Sequence, residues 1–232
     1  MRLTDAALPT RDLDAVAHVY GDLLGLATTR RDDRVVIVAG ATRLTFVLDP
    51  DLAGAQHLAF TIPTGTLASA KTVLAVRATV IRNPEGFDEF EGPPSWNSRS
   101  VYFEGPDSQI LEVIERRSLR GSRAGRGPLR IQCVSEVGVA VPDVPAAVAR
   151  LRDAGIPPYG GPPGPDFAPV GDADGLLILV APGRPWAPAF DRAPAESAVL
   201  VSCDPEAEVD LADGRSLRSA DGFSPDALSR RE

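Results

Sequence analysis

The sequence predicts an α+β fold of paired βαβββ modules around a curved-sheet cleft, followed by a third, partial βαβββ module. Three observations carry this. The stretches LTDAALPTRDLDA (3–15) and VSEVGVAVPDVPAA (134–147) lie over each other as an alternating strand, a turn and a helix start. A third copy, AQHLAFTIPTGTLASA (55–70), lies between them. Each copy is followed by short alternating runs of strand type.

The elements follow in order. Asp12 is placed to cap a helix over 12–24 that Gly25 ends, with strands near 26–30, 34–39 and 43–48. Thr64 is placed to cap a second helix over 64–76, with strands near 78–82, 100–104 and 109–115. The connection NPEGFDEFEGPPSWNSRS (83–100) is long for a compact domain and suits a rim or lid. Asp143 opens a third helix over 143–153, ended by Gly155, and FAPVGD and GLLILVAP supply its strands. One such unit has a helix on one face of its sheet and nothing on the other, so another copy must cover it.

The domain reading places paired modules and the cleft in 1–117, a linker in 118–128, a third module with an extra strand in 129–203, and a loose tail in 204–232. No fourth unit is read in the chain. The uncovered face of the third unit then packs on the first domain or pairs with the same unit of another chain, as a homodimer.

Composition narrows the function. The chain has 232 residues, 44% of them apolar, and a formal net charge of −8. This balance gives no general electrostatic reason to bind nucleic acid. The basic stretch RRSLRGSRAGRGPLR (116–130) has Gly and Ser but no aromatics, which fits a solvated linker. No apolar run is long enough to span a bilayer, and early charges at Asp5, Arg11 and Asp12 break any secretory pattern, so a cytoplasmic protein is expected. Cys133 and Cys203 make no disulfide framework and read as small buried residues.

The chemistry sits on the repeat. Asp5, His57 and Glu136 each lie seven residues before their helix cap, on strands that are otherwise apolar. Glu112 is flanked at i±2 by Ile110 and Ile114, so it is an acid on an enclosed apolar face and needs a partner. His18 sits in the first helix, away from that face. There is no dinucleotide fingerprint, no Walker lysine and no Ser–His–Asp set.

The segments DLDAVAHVYGDLLGL, HLAFTIP and SVYFEGPDSQILEVIER resemble the vicinal oxygen chelate superfamily, which includes glyoxalase I, ring-cleaving dioxygenases and bleomycin-binding proteins. The resemblance covers 3–117 well and 131–188 partly, and it speaks for fold more than for reaction. It implies metal ligands on the first and last strands of paired units. Carried over by position, these are Asp5, His57 and Glu112, holding Fe, Mn, Zn or Mg, while Thr45 takes the remaining last-strand place. Asp5 then stands where a dioxygenase-type set has a histidine. Tyr102 is the implied catalytic phenol beside the metal, and Trp96, Asn97 and Ser100 the implied substrate contacts. GLLILVAPGRPW carries apolar residues where the third unit's second ligand would stand, so Glu136 reads as a relic of the repeat. The function expected is a metal-dependent, dioxygenase-like enzyme acting on a small catechol-like molecule. A metal-free binding or drug-resistance protein and a glyoxalase-like lyase or isomerase are the alternatives.

Overall fold

The computed structural model describes residues 1–119, 125 and 127–228. Residues 120–124 and 126 of the expected linker and 229–232 of the expected tail lie outside the described residues.

The first unit runs β1 (Arg2–Thr10), α1 (Leu13–Val16), β2 (Ala27–Arg30), β3 (Arg34–Ala39) and β4 (Thr42–Leu48). Asp12 caps α1 by accepting from the amides of Asp14 and Ala15, and the helix widens to π geometry over Ala17–Leu23. The second unit runs β5 (His57–Thr61), α2 (Leu67–Arg77), β6 (Phe90–Glu91), β7 (Ser98–Glu104) and β8 (Ile110–Arg116). α2 starts later than a Thr64 cap would place it. Pro63–Thr66 forms a turn closed by the Thr66 amide and hydroxyl on the Pro63 carbonyl, and Glu115 of β8 accepts from the Leu67 amide. The strand expected over 78–82 is reduced to an isolated bridge between Val80 and Phe103.

The third unit runs β9 (Cys133–Ala140), α3 (Val144–Asp153), β10 (Phe167–Asp172) and β11 (Gly175–Val180). A further set follows, β12 (Val199–Asp204), β13 (Val209–Ala212) and β14 (Arg215–Leu217). In each unit the first and last strands pair in parallel: β1 with β4, β5 with β8, β9 with β11, and β12 with β14. The last set is therefore a fourth unit without its helix, where a loose tail was expected. With strands of four and three residues it offers too little alternation to read as sheet.

The pairing of units also differs from the expectation of one cleft within 1–117. The two seven-stranded sheets have the orders β13-β14-β12-β1-β4-β3-β2 and β10-β11-β9-β5-β8-β7-β6. Unit one joins unit four through antiparallel β1 and β12, and unit two joins unit three through antiparallel β5 and β9. The third unit's sheet is thus completed and covered within the chain, which removes the reason given for a homodimer.

Alternation assigns the faces. Leu58, Phe60, Leu111, Val113, Val137 and Val139 of the second sheet share one core with Ala6, Leu8, Ile37, Leu44 and Phe46 of the first. The opposite face of the first sheet, with Ala7, Val47 and Leu200, is covered by Leu228 and Phe223 from the C-terminal segment. The opposite face of the second sheet carries the polar residues. No helix is long and apolar enough to cross a membrane among the described residues.

Candidate metal centre and its cleft

β5, β8 and β9 lie side by side, and each puts one metal-capable side chain on the same face: His57, Glu112 and Glu136. One ligand atom from each lies within 4.8 Å of the others. His57 Nε2 is 3.5 Å from Glu136 Oε2 and 3.7 Å from Glu112 Oε2. These are separations that two ligands have when each lies about 2.1 Å from one ion. His57 Nδ1 lies 3.0 Å from the Ile110 carbonyl, a bond that makes Nδ1 the donor and leaves Nε2 as the ligand atom. All three side chains are buried.

The backbone around them is tied down by buried amides. Tyr20 Oη donates to Gln109 Oε1 (2.8 Å), Gln109 Nε2 to Gln56 Oε1 (2.7 Å), and Gln56 Nε2 to the Pro9 carbonyl (3.0 Å). Gln56 and Gln109 directly precede His57 and Ile110, and the Ile110 amide donates to the Gln56 carbonyl. β1 thereby holds the start of two of the three ligand-bearing strands, β5 and β8.

Arg116 lies four residues after Glu112 on β8, and its side chain is fully buried. Its Nη2 pairs with Glu136 Oε1 and its Nε donates to Ser135 Oγ at 2.9 Å. Trp96 and Tyr159 flank the guanidinium, with ring centroids 5.4 and 5.8 Å from Cζ. Glu136 is thus divided, one oxygen to Arg116 and the other toward His57.

This division separates the two acids. Burial raises both, but the bond from His57 and the charge of Arg116 bring Glu136 below its usual range. Glu112 is pushed up to about 7 by burial and by the charge of Glu136, against the opposing pull of His57. Burial lowers His57, yet the bond to Glu136 and the charges of both acids leave it raised. Tyr102 is raised well above its ordinary value, by burial and then by Glu112 and Glu136, so its phenol keeps its proton. Glu136 is the standing anion, and Glu112 takes or gives a proton near neutral pH.

The cluster opens into a cavity of about 120 Å³ walled by His57, Trp96, Tyr102, Glu136, Phe167 and Trp186. The Trp186 ring sits 5.3 Å from His57 between centroids, and its Nε1 donates to the Ala55 carbonyl at 2.8 Å. Gly138 makes this approach feasible, because a Cβ there would lie 2.7 Å from Trp186 Cη2 and 3.0 Å from His57 Cβ. Arg184 stands over Phe167 at 4.5 Å and also lines the cavity.

Of the residues expected at the site, His57 and Glu112 come together, with Tyr102 beside them at 6.3 Å between ring centroids. Ser100 is buried on β7 two residues before Tyr102, on the same face of the strand, and does not line the cavity. Trp96 walls the cavity. Asn97 does not reach it; it is exposed at positive φ, and its carbonyl accepts from the Arg117 amide. Asp5 is on the first sheet, paired with Arg43 of β4, and cannot share an ion with His57. Glu136 takes the third place. Its phase with His57 in the repeat is the available signal; what the sequence does not carry is which first strand lies beside β5. Arg116, Phe167, Arg184 and Trp186 have no motif to mark them.

The donor set fits a divalent ion. One imidazole nitrogen and two carboxylates, charge-balanced by Arg116, suit Fe²⁺, Mn²⁺, Zn²⁺ or Mg²⁺. The fourth corresponding strand, β11, presents Leu176 opposite Glu136 and Ile178 two residues on, so that side is apolar.

No protein-family model matches the chain, and no curated protein matches it. Solved structures do. A candidate dioxygenase from Bacillus subtilis subsp. subtilis str. 168 matches over 100% of this chain and 90% of its own, with TM-score 0.61 and 13% identity. Glyoxalase I from Zea mays matches over 87% of this chain and 74% of its own, with TM-score 0.53 and 16% identity. At these identities the likeness is one of fold. The chain therefore shares with these structures a fold of paired modules, as its βαβββ repeats implied.

Proposed function

We propose that the protein is a divalent-metal-dependent enzyme of the ring-cleaving dioxygenase type, acting on a small planar molecule with two adjacent oxygens. The observation that carries this is the convergence of His57, Glu112 and Glu136 from two first strands and one last strand. It is the three-ligand arrangement the resemblance implies, with Glu136 where a histidine is expected. When bound, the metal supplies Lewis acidity and a place for oxygen beside the substrate. Tyr102, protonated, donates a hydrogen bond to a substrate oxygen. As ligands, Glu112 and Glu136 would hold the ion as carboxylates, so Glu112 gives up its metal-free proton when the metal binds. Trp96, Phe167 and Trp186 stack on the ring and exclude water. In such a reaction both atoms of dioxygen enter the product as a ring carbon–carbon bond breaks, so no separate reductant is consumed.

A second reading has its own support. A buried carboxyl near pKa 7 is suited to moving a proton at carbon beside a carbonyl, which is isomerase-type chemistry. Oxygen uptake by the Fe²⁺-loaded protein with a panel of catechols tests the first reading, with His57→Ala as control. Substrate-dependent uptake lost in the variant supports it. No uptake, with solvent-deuterium exchange into a 2-oxo compound, favours the second. Tight ligand binding unchanged by metal removal leaves only a binding protein.

A further inference from the structure

The polar face of the second sheet has another cavity, of about 300 Å³, where β5 and β8 end. Thr61 is four residues after His57 on β5, and Arg116 four after Glu112 on β8, so strand alternation puts both on the metal-site face. Both line this cavity, and both carry a buried atom with no hydrogen-bond partner among the described residues: Thr61 Oγ1 and Arg116 Nη1. An unpaired guanidinium nitrogen on a side chain with no exposed surface is costly and calls for an acceptor. Arg130 and Gln132 also line the cavity, and none of its described lining residues is a carboxylate. Its two guanidinium groups come from the two ends of the basic stretch 116–130, and Arg116 serves both cavities, with Nη2 on Glu136 and Nη1 unpaired.

We infer that this cavity is a second ligand site, joined to the metal centre through the Arg116–Glu136 pair, for the oxyanion of a small molecule bearing a carboxylate or phosphate group. Arg116 offers Nη1, Arg130 a second positive charge and Thr61 a hydroxyl donor. A planar guanidinium with an adjacent hydroxyl matches the lone-pair spread of such an anion. Glu136 neutralises one charge of the pair, and the bound anion balances the other. The inference does not depend on which reaction the cleft performs.

Equilibrium dialysis of the full chain, freed of metal, against radiolabelled inorganic phosphate and, separately, acetate at fixed ionic strength tests it. One saturable site per chain for at least one of them is expected, and the tighter anion identifies the source as phosphate or carboxylate. Thr61→Val keeps the side-chain shape, and Arg130 is exposed, so both Thr61→Val and Arg130→Gln are expected to fold, which the urea-unfolding midpoint checks. Each is expected to weaken binding about tenfold or more. Arg184→Gln, which removes the cation lining the metal-centre cavity, is expected to leave it unchanged. Saturable binding of neither anion, unaltered affinity in Thr61→Val and Arg130→Gln, or loss in Arg184→Gln would overturn the inference.

Discussion

At the scale of single residues, the site depends on how charge is divided among His57, Glu112, Glu136 and Arg116. Arg116 and Glu136 form a buried pair, and removing one partner strands the other. Arg116→Met is expected to cost about 3–5 kcal/mol of stability in urea unfolding. Adding Glu136→Gln should recover much of that loss; no recovery would mean the pair is not coupled. Glu112 fixes a pH dependence. Its folded value of about 7 stands above its usual 4.5, so between those values the folded state holds a proton that the unfolded state has lost. Metal-free stability therefore falls as pH rises through that window. The raised value of His57 acts in the same direction, its contribution being full below 6.5 and lost as pH rises through the folded value. Glu136, lowered, contributes fully above 4.5 and loses that contribution only at more acid pH. The metal-free protein should have a Tm that decreases from about pH 5 to about pH 7.5, and metal affinity should increase over the same range as Glu112 gives up its proton. A flat Tm profile would contradict the assignment.

At the scale of elements, close approach matters more than ligand chemistry. β9 comes near enough for Trp186 to lie against His57 because residue 138 is glycine. Gly138→Ala should force the indole or imidazole aside, costing about 1–3 kcal/mol and weakening cleft ligands in a fluorescence titration. Unchanged affinity would mean that Trp186 does not wall the working cleft. His57 and Glu112 are legible in the sequence because an ionisable residue on an alternating apolar strand has few uses. Glu136 is visible by the same rule, as the repeat-phase partner of His57, yet the apolar β11 obscures it. Arg116 is not legible, since an arginine ending a strand looks like an ordinary surface residue until its burial is known. The helix caps Asp12 and Asp143 are readable from local sequence, whereas the start of α2 is not, because Glu115, distant in sequence, satisfies its first amide.

At the scale of the whole molecule, the units nest: one with four, two with three. Each of the first three units is readable from its own alternation, but which units share a sheet is decided by pairing between distant first strands. By pattern alone β1 could meet β5 as well as β12, and that ambiguity is why position in the repeat points to Asp5 as a ligand. In the folded chain Asp5 is held by Arg43, and the face of its sheet is covered by Phe223 and Leu228. The candidate metal cleft belongs to the second sheet. The most direct test is metal content by mass spectrometry after purification without chelators, for the parent, Glu136→Ala and Asp5→Asn. About one divalent ion per chain is expected in the parent and in Asp5→Asn, with loss in Glu136→Ala. Metal retained by Glu136→Ala but lost from Asp5→Asn, or none bound by the parent even after loading, would contradict a centre built on His57, Glu112 and Glu136.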